Sequence, residues 1–467
     1  MSFALNQEIM KKSFMMGDDG NRFTHNAAKK IKLFPFVTNN NALIIRTLSS
    51  VIGEWLRIVK KQKFQPRQMT ETINGIIDNV DVDEESRDKL FHILKELYWD
   101  EKDMLRPNSI DSMIYIPVTD PSEEKMAQYL FSVLSSNDQL QEIVEKAIEQ
   151  SSKQANVLEK AVMETLREGC AVAETKERYF TLHTAAREMF AEDLRFVLEN
   201  PSRTKEYFVD LLEFYYFFYT TQSCLMLDQF EHGNRNKIVP LFFSLDWEKT
   251  NKARECYKNG WIQLQPAINN LFYHAITLDI LNQSDSDERY DYIAIKDEIT
   301  DENEDAMADQ IRGVTDLYRN AIVAISQASE CVEFNNIVKR TDLGVVFSEV
   351  RYLYDSVRVQ FEHTGRSRAS DGYVEKFSAY CHDNFLKRRG QSGMMLNITE
   401  ERLIFLTKLA IKDNDQMSLN DVFEQFKKRG IYFDSSSKEE IIKFYSKLNL
   451  IDKKSDSGDA QYVKRFL

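Results

Sequence analysis

Along most of this chain apolar residues recur at spacings of three and four, the period of a helix that buries one face. Between Leu43 and Val59 the apolar set is Ile44, Leu48, Val51, Ile52, Trp55, Leu56 and Val59, which predicts one amphipathic helix. Similar stripes predict helices over Ser86 to Tyr98, Ser122 to Leu134, Asp138 to Leu166, Phe180 to Leu198 and Thr204 to Leu227, punctuated by Pro201 and Gly233. The most apolar stretch, Phe214 to Leu227, is too short and too interrupted by polar groups to cross a bilayer as a helix. It is expected to be buried, and its contiguous aromatics Phe214 to Tyr219 point all round a helix, as packing requires and a base-stacking platform does not.

Between Asp285 and Asp309 eleven acidic residues stand against Arg289 and Lys296, which predicts a solvated linker or loop. No carboxylates there have the spacing of a calcium loop. Helical periodicity resumes over Met307 to Ala328 and Leu343 to Phe361, breaks at His363 to Gly372, and continues over Tyr373 to Arg389. Gly390 to Gly393 marks a second boundary. The chain is therefore expected to be mainly α and multi-domain: a helical N-terminal domain (1–285), the acidic linker or loop (286–306), a helical middle domain (307–393) and a distinct C-terminal unit (394–467).

That unit has a different grammar. Thr399 is placed to cap a helix carrying Leu403, Ile404, Leu406, Leu409 and Ala410, and Ser418 with Asp421 to cap a second carrying Val422, Phe423 and Phe426 and ended by Gly430. Ile431 to Phe433 reads as a short extended piece. Ser437 with Glu440 predicts a capping box for a third helix bearing Ile441, Ile442, Tyr445 and Leu448. The final stretch LNLIDKKSDSGDAQYVKRFL is a hairpin pattern with its turn at Asp456 to Asp459. Three short helices, a short strand and a two-stranded ribbon follow the order of a winged helix-turn-helix domain, in which the last helix enters the DNA groove.

If Ile441, Tyr445 and Leu448 face the core, then Glu439, Lys443, Ser446 and Lys447 face outward. Lys453 and Lys454 open the wing, Lys464 and Arg465 lie on its return strand, and Arg388 and Arg389 sit just upstream. These residues are candidates for phosphate contacts, whereas the helix face lacks an arginine or asparagine suited to bidentate base reading. Against this, Glu439 is placed to pair with Lys443, and Asp452, Asp456 and Asp459 dilute the wing's charge. DNA binding and protein docking both remain open on these residues.

Charge sharpens the contrast. The formal net charge is −13, yet residues from Met394 onward hold 13 Lys and Arg against 12 Asp and Glu, leaving 48 against 62 upstream. An acidic whole argues against a general polyanion binder and permits a local contact. Glycine (15) and proline (8) are scarce, which favours long helices. The five cysteines are far apart, with no CxxC pair, and the first twenty residues lack a secretion-signal pattern, so a reducing cytoplasm is expected.

Catalytic motifs are scarce as well. There is no GxxxxGK, GxGxxG, HExxH or GxSxG, and the seven histidines include no pair at helical metal-ligand spacing, so no cofactor, metal or enzymatic activity is expected. Arg87 and His92 have the Arg-x4-His form of a class of metal-independent helical ribonucleases, but they equally suit the polar side of an amphipathic helix. Glu174-Thr-Lys176 resembles half of a metal-dependent nuclease motif without its strand context.

Three strings, GMMLNITEERLIFLTKLAI, FKKRGIYFDSSSKEEII and LNLIDKKSDSGDAQYVKRFL, resemble the DptG family of DNA phosphorothioation-dependent restriction proteins over the last seventy or so residues. The resemblance implies a subunit of a bacterial anti-phage complex that attacks DNA lacking sulfur in its backbone. It implies that this subunit supplies duplex DNA binding and assembly, while ATPase and helicase or nuclease activities belong to partner subunits. The family supplies no catalytic residues to carry over.

Overall fold

In the computed structural model, helix Pro201–Leu227 runs through the centre of the molecule. Asn200 starts it by accepting the N–H groups of Ser202 and Arg203, and Pro201 sits at the first helical position, where a missing N–H costs nothing. From Leu211 to Leu227 every side chain is buried, as an all-round apolar helix demands. Helices Ala185–Leu198 and Trp261–Asn269 pack against it. The aromatic run interlocks with a later helix, Ser367–Phe385, through Tyr216 on Tyr380 at 4.6 Å and Phe217 on Phe385 at 3.8 Å between ring centroids.

The structure describes residues 3–16, 23–24, 30–39, 41–80, 82–107, 109–135, 139–173, 178–326, 331–363, 366–453 and 461–465. It is mainly helical with a few short strands. Among the described residues no helix is long and apolar enough to cross a membrane.

Periodicity located the helices better than their ends. The run expected over Leu43 to Val59 is helical only at Ile52–Val59. Its first half is irregular and ends in a turn, and the Glu213 carboxylate takes the Thr47 hydroxyl and the Leu48 N–H, a bond that a helix would direct elsewhere. The run over Asp138 to Leu166 is two helices, Gln139–Gln154 and Val157–Arg167, divided where Asn156 and Glu159 form a capping box. Helices Glu304–Ile325 and Val345–His363 pack side by side, joined by Tyr318 donating to Gln360 and Arg312 to Glu349, both at 2.8 Å.

The acidic segment expected as a solvated linker contains helix Tyr292–Asp297, whose Tyr292 and Ile295 are buried. Its N-cap Asp291 is itself buried and receives Arg235 at 2.5 and 3.1 Å. Counting carboxylates overlooked that these few apolar positions reach the core.

Gly390 and Gly393, both at positive φ, form a turn inside a hairpin of strands Leu386–Arg388 and Met394–Ile398. Strand Ser244–Leu245 pairs in parallel with Asn397 and Ile398, and Leu241–Phe242 pairs in parallel with Ile431–Tyr432. Residues beyond 393 are thus hydrogen-bonded through the backbone into the helical body.

Candidate nucleic-acid interface

Several local signals from Thr399 onward act as the sequence pattern predicts. Thr399 accepts the Arg402 N–H and starts helix Glu400–Ile411, and Ser418 accepts the Asp421 N–H at 3.1 Å and starts Leu419–Lys428. Gly430 stops the second helix at φ +74, and a Cβ there would sit 3.0 Å from the Phe218 ring, so glycine is required twice over. The third helix, Ser435–Lys447, is capped by Asp434 and not by Ser437 with Glu440. Asp434 accepts the Ser437 N–H at 3.0 Å, while the Ser437 hydroxyl is turned away toward Glu248.

Between the first two helices lies a strand the sequence pattern missed, Gln416–Ser418. It pairs with Gln461–Lys464, which also pairs with Ile451–Lys453, giving a three-stranded antiparallel sheet with Gln461–Lys464 in the middle. The extended piece expected after the second helix exists as Ile431–Tyr432 but joins Leu241–Phe242 of the body. Ile441, Tyr445 and Val463 are buried, and the Tyr445 and Thr407 hydroxyls share a hydrogen bond of 2.6 Å across the first and third helices. Leu448, expected in the core, is exposed, since Asn449 turns the chain at φ +56 directly after it.

The expected phosphate-facing residues divide into two groups. Lys443 and Lys447 are exposed on one stripe of Ser435–Lys447 with Glu439 and Ser446, and Lys443 pairs with Glu440 at 2.7 Å, not with Glu439. Lys464 and Arg465 are exposed at the end of the central strand, where the Lys464 N–H bonds the Leu450 carbonyl just beyond that helix. Lys453 pairs through its backbone with Gln461; Lys454 and the turn at Asp456 to Asp459 lie outside the described residues.

Arg388 is exposed, but Arg389 points inward. Its Nη2 donates to the Leu245 carbonyl at 2.5 Å and to Asn397 Oδ1 at 2.7 Å, and its Nη1 to the Asp246 and Glu248 carbonyls. A guanidinium so engaged holds strands together and leaves no fork for a phosphate. Lys387 beside it pairs with Asp246 at 2.6 Å, and that bond holds the Asp246 carboxyl below the usual carboxylate range.

Sequence reasoning did not anticipate how firmly the body grips the leading end of the third helix. Arg254 donates to both Asp434 oxygens at 3.0 and 2.5 Å, to Glu248 at 3.0 Å and to the Ser437 hydroxyl at 2.7 Å. Ser437 in turn donates to Glu248 at 2.9 Å, and Trp247 lies on Phe444 with ring centroids 5.1 Å apart. Burial alone would raise the Asp434 carboxyl, but the bonds from Arg254 and Ser437 outweigh it and hold the group low. A second clamp joins Arg429 to Asp193, both fully buried, through three hydrogen bonds of 2.7 to 3.0 Å. No pattern in the sequence signals the ties across the junction, whose partners lie 180 or more residues apart.

The remaining candidates are not assembled into a site. Arg87 and His92 share helix Glu84–Tyr98, five positions and so about 140° apart around its axis, and Arg87 pairs with Asp78 while His92 is exposed. The Glu174 to Lys176 motif lies outside the described residues. His183 and His274 are buried, His274 between Tyr292 and Asp228 at 3.0 Å each, in an aromatic setting with Phe230 and Tyr354. Among the described residues no group of three or more His, Cys, Asp or Glu is placed to hold a metal ion. No protein-family model matches this chain, and no curated protein does.

Proposed function

We propose that this chain is a non-catalytic DNA-binding and scaffolding subunit of a bacterial anti-phage restriction complex acting on DNA without phosphorothioate, as the DptG-like strings imply. Residues 394–467 serve in this reading as a winged helix-turn-helix that meets the duplex backbone. Partner subunits supply the ATPase and the helicase or nuclease, and the acidic helical body holds them.

One observation carries the reading. The face of Ser435–Lys447 that neither its own helices nor the body covers presents Lys443 and Lys447, and Lys464 and Arg465 follow at the end of the central strand. Helix-turn-helix proteins usually touch base edges with the first residues of this helix. Here Arg254 and Glu248 occupy that end, which favours contacts to phosphates over reading of bases.

The same grip favours a second reading, in which the unit is a protein-docking module. Binding of the whole chain to labelled duplex DNA across a salt series separates them. Each lost phosphate contact flattens the slope of log affinity against log salt by about 0.9. Lys443→Glu/Lys447→Glu is expected to lose affinity and about two such increments of slope. A wild-type chain that does not bind, or a variant that binds equally well, refutes DNA contact here and leaves docking.

A further inference from the structure

Outside the C-terminal unit, the segment after Lys30 lines two neighbouring cavities that share Thr38 and Ala369 in their walls. One, of about 450 Å³, is lined by Arg366 and Arg368 with Thr24, Asn39 and Asn41. The other, of about 440 Å³, is lined by Lys32 and Lys125 over a floor that includes Phe272 and Tyr373. Four cations thus line these two adjoining cavities, and among the described residues neither wall contains a carboxylate. In a chain with 74 acidic against 61 basic residues, that segregation of charge is the opposite of what chance placement gives.

Lys32 shows the cost of this arrangement. It is half-buried, with Nζ 4.3 Å from the centre of the Tyr179 ring. Its ammonium is pushed below the ordinary lysine value, first by burial and then by Lys125 and Arg178. The charges that act on it are of its own sign, and a bound anion would relieve both effects. In the other cavity Arg366 occupies the N-cap of helix Ser367–Phe385, where no side chain caps the first turn, so the positive end of that helix adds to the same field.

Guanidinium, ammonium, amide and hydroxyl donors, with no carboxylate among the described lining residues, suit phosphate oxygens. The paired cavities match an extended ligand with more than one phosphate. We propose that this pair of cavities in the helical body is a phosphate-binding site that takes the phosphates of a nucleotide or of a single nucleic-acid strand. The winged-helix reading is independent of it.

The test uses the full chain carrying Lys443→Glu/Lys447→Glu, so that the C-terminal face does not report. Its probes are a fluorescein-labelled twelve-residue oligothymidylate, ATP and inorganic phosphate. The expected result is saturable binding of the oligonucleotide or of ATP that weakens at least tenfold in Lys125→Ala/Arg368→Ala with thermal unfolding unchanged. For the oligonucleotide, the salt slope also falls by about 0.7 per lost contact. Oligonucleotide binding that ATP does not displace identifies a nucleic-acid strand, and ATP binding alone identifies a free nucleotide; either supports the site. Lys32→Met, which keeps the buried stem and removes the charge, must weaken the same probe. Failure of all three probes to bind, or undiminished binding by both variants, overturns the proposal.

Discussion

Replacing Arg429 by methionine keeps most of the buried stem and removes the charge that faces Asp193. In the native protein Nε and Nη2 of Arg429 donate to both Asp193 oxygens at 2.7 to 3.0 Å, with the two residues 2% and 0% exposed. Removing one member of a buried ion pair costs about 3–5 kcal/mol, because the other charge stays behind without solvent. Tyr215 still donates to Asp193 at 2.8 Å and Lys412 still lies 3.2 Å away, which places the loss near the lower end, about 3 kcal/mol. At about 2.1 cal/mol/K per residue, a chain of 467 residues has an unfolding entropy of about 1 kcal/mol/K, so a single transition would move down by about 3 °C. Calorimetry on Arg429→Met, Asp193→Asn and the double variant measures this directly. The singles should each lose about 3 kcal/mol and the double clearly less than their sum, with a coupling of at least about 2 kcal/mol. A loss under about 1 kcal/mol in Arg429→Met, or simple additivity, refutes the view that this pair fastens the C-terminal unit to the body.

The remaining predictions concern the same junction. Asp434 is held low by Arg254 and Ser437, so its contribution is complete above the ordinary aspartate pKa of about 3.9 and is lost as pH falls through its depressed folded value. Hydrogen exchange in Ser435–Lys447 should therefore lose protection on acidification, and Asp434→Asn should flatten that dependence; an unchanged slope in the variant would contradict the assignment. Gly430→Ala should destabilise by more than about 1 kcal/mol, since alanine meets both a positive φ and the Phe218 ring, and an unaltered melting curve would show that the turn relaxes freely.

Local signals were the legible part of this fold. Thr399, Ser418 and Gly430 act within a few residues of themselves, through a side-chain oxygen or a missing Cβ, so their roles follow from the order of residues. The aromatic helix Pro201–Leu227 was legible for the same reason, because a segment apolar on every side has nowhere to go but inside. The errors occurred where a distant partner outbid a local preference. Glu213 claimed Thr47 and Leu48 and cancelled half of a well-patterned helix. Arg254 fixed Asp434 as the cap of the last helix, although Ser437 and Glu440 carried the better motif. Strand Gln416–Ser418 was too short for any period to show and exists because Gln461–Lys464 offers it a ladder.

By itself, then, the sequence determined the helical class, the central buried helix and the outward stripe of Lys443 and Lys447, all properties set by spacings of a few residues. Only the tertiary structure decided that Arg389 is a strand tie, that the leading end of the last helix is clasped by Arg254, and that Lys32, Lys125, Arg366 and Arg368 line two adjoining cavities. The physical reason is the same in each case. Charged side chains are placed by whichever partners the folded chain brings within a few ångströms, and more than 300 residues separate Lys32 from Arg366.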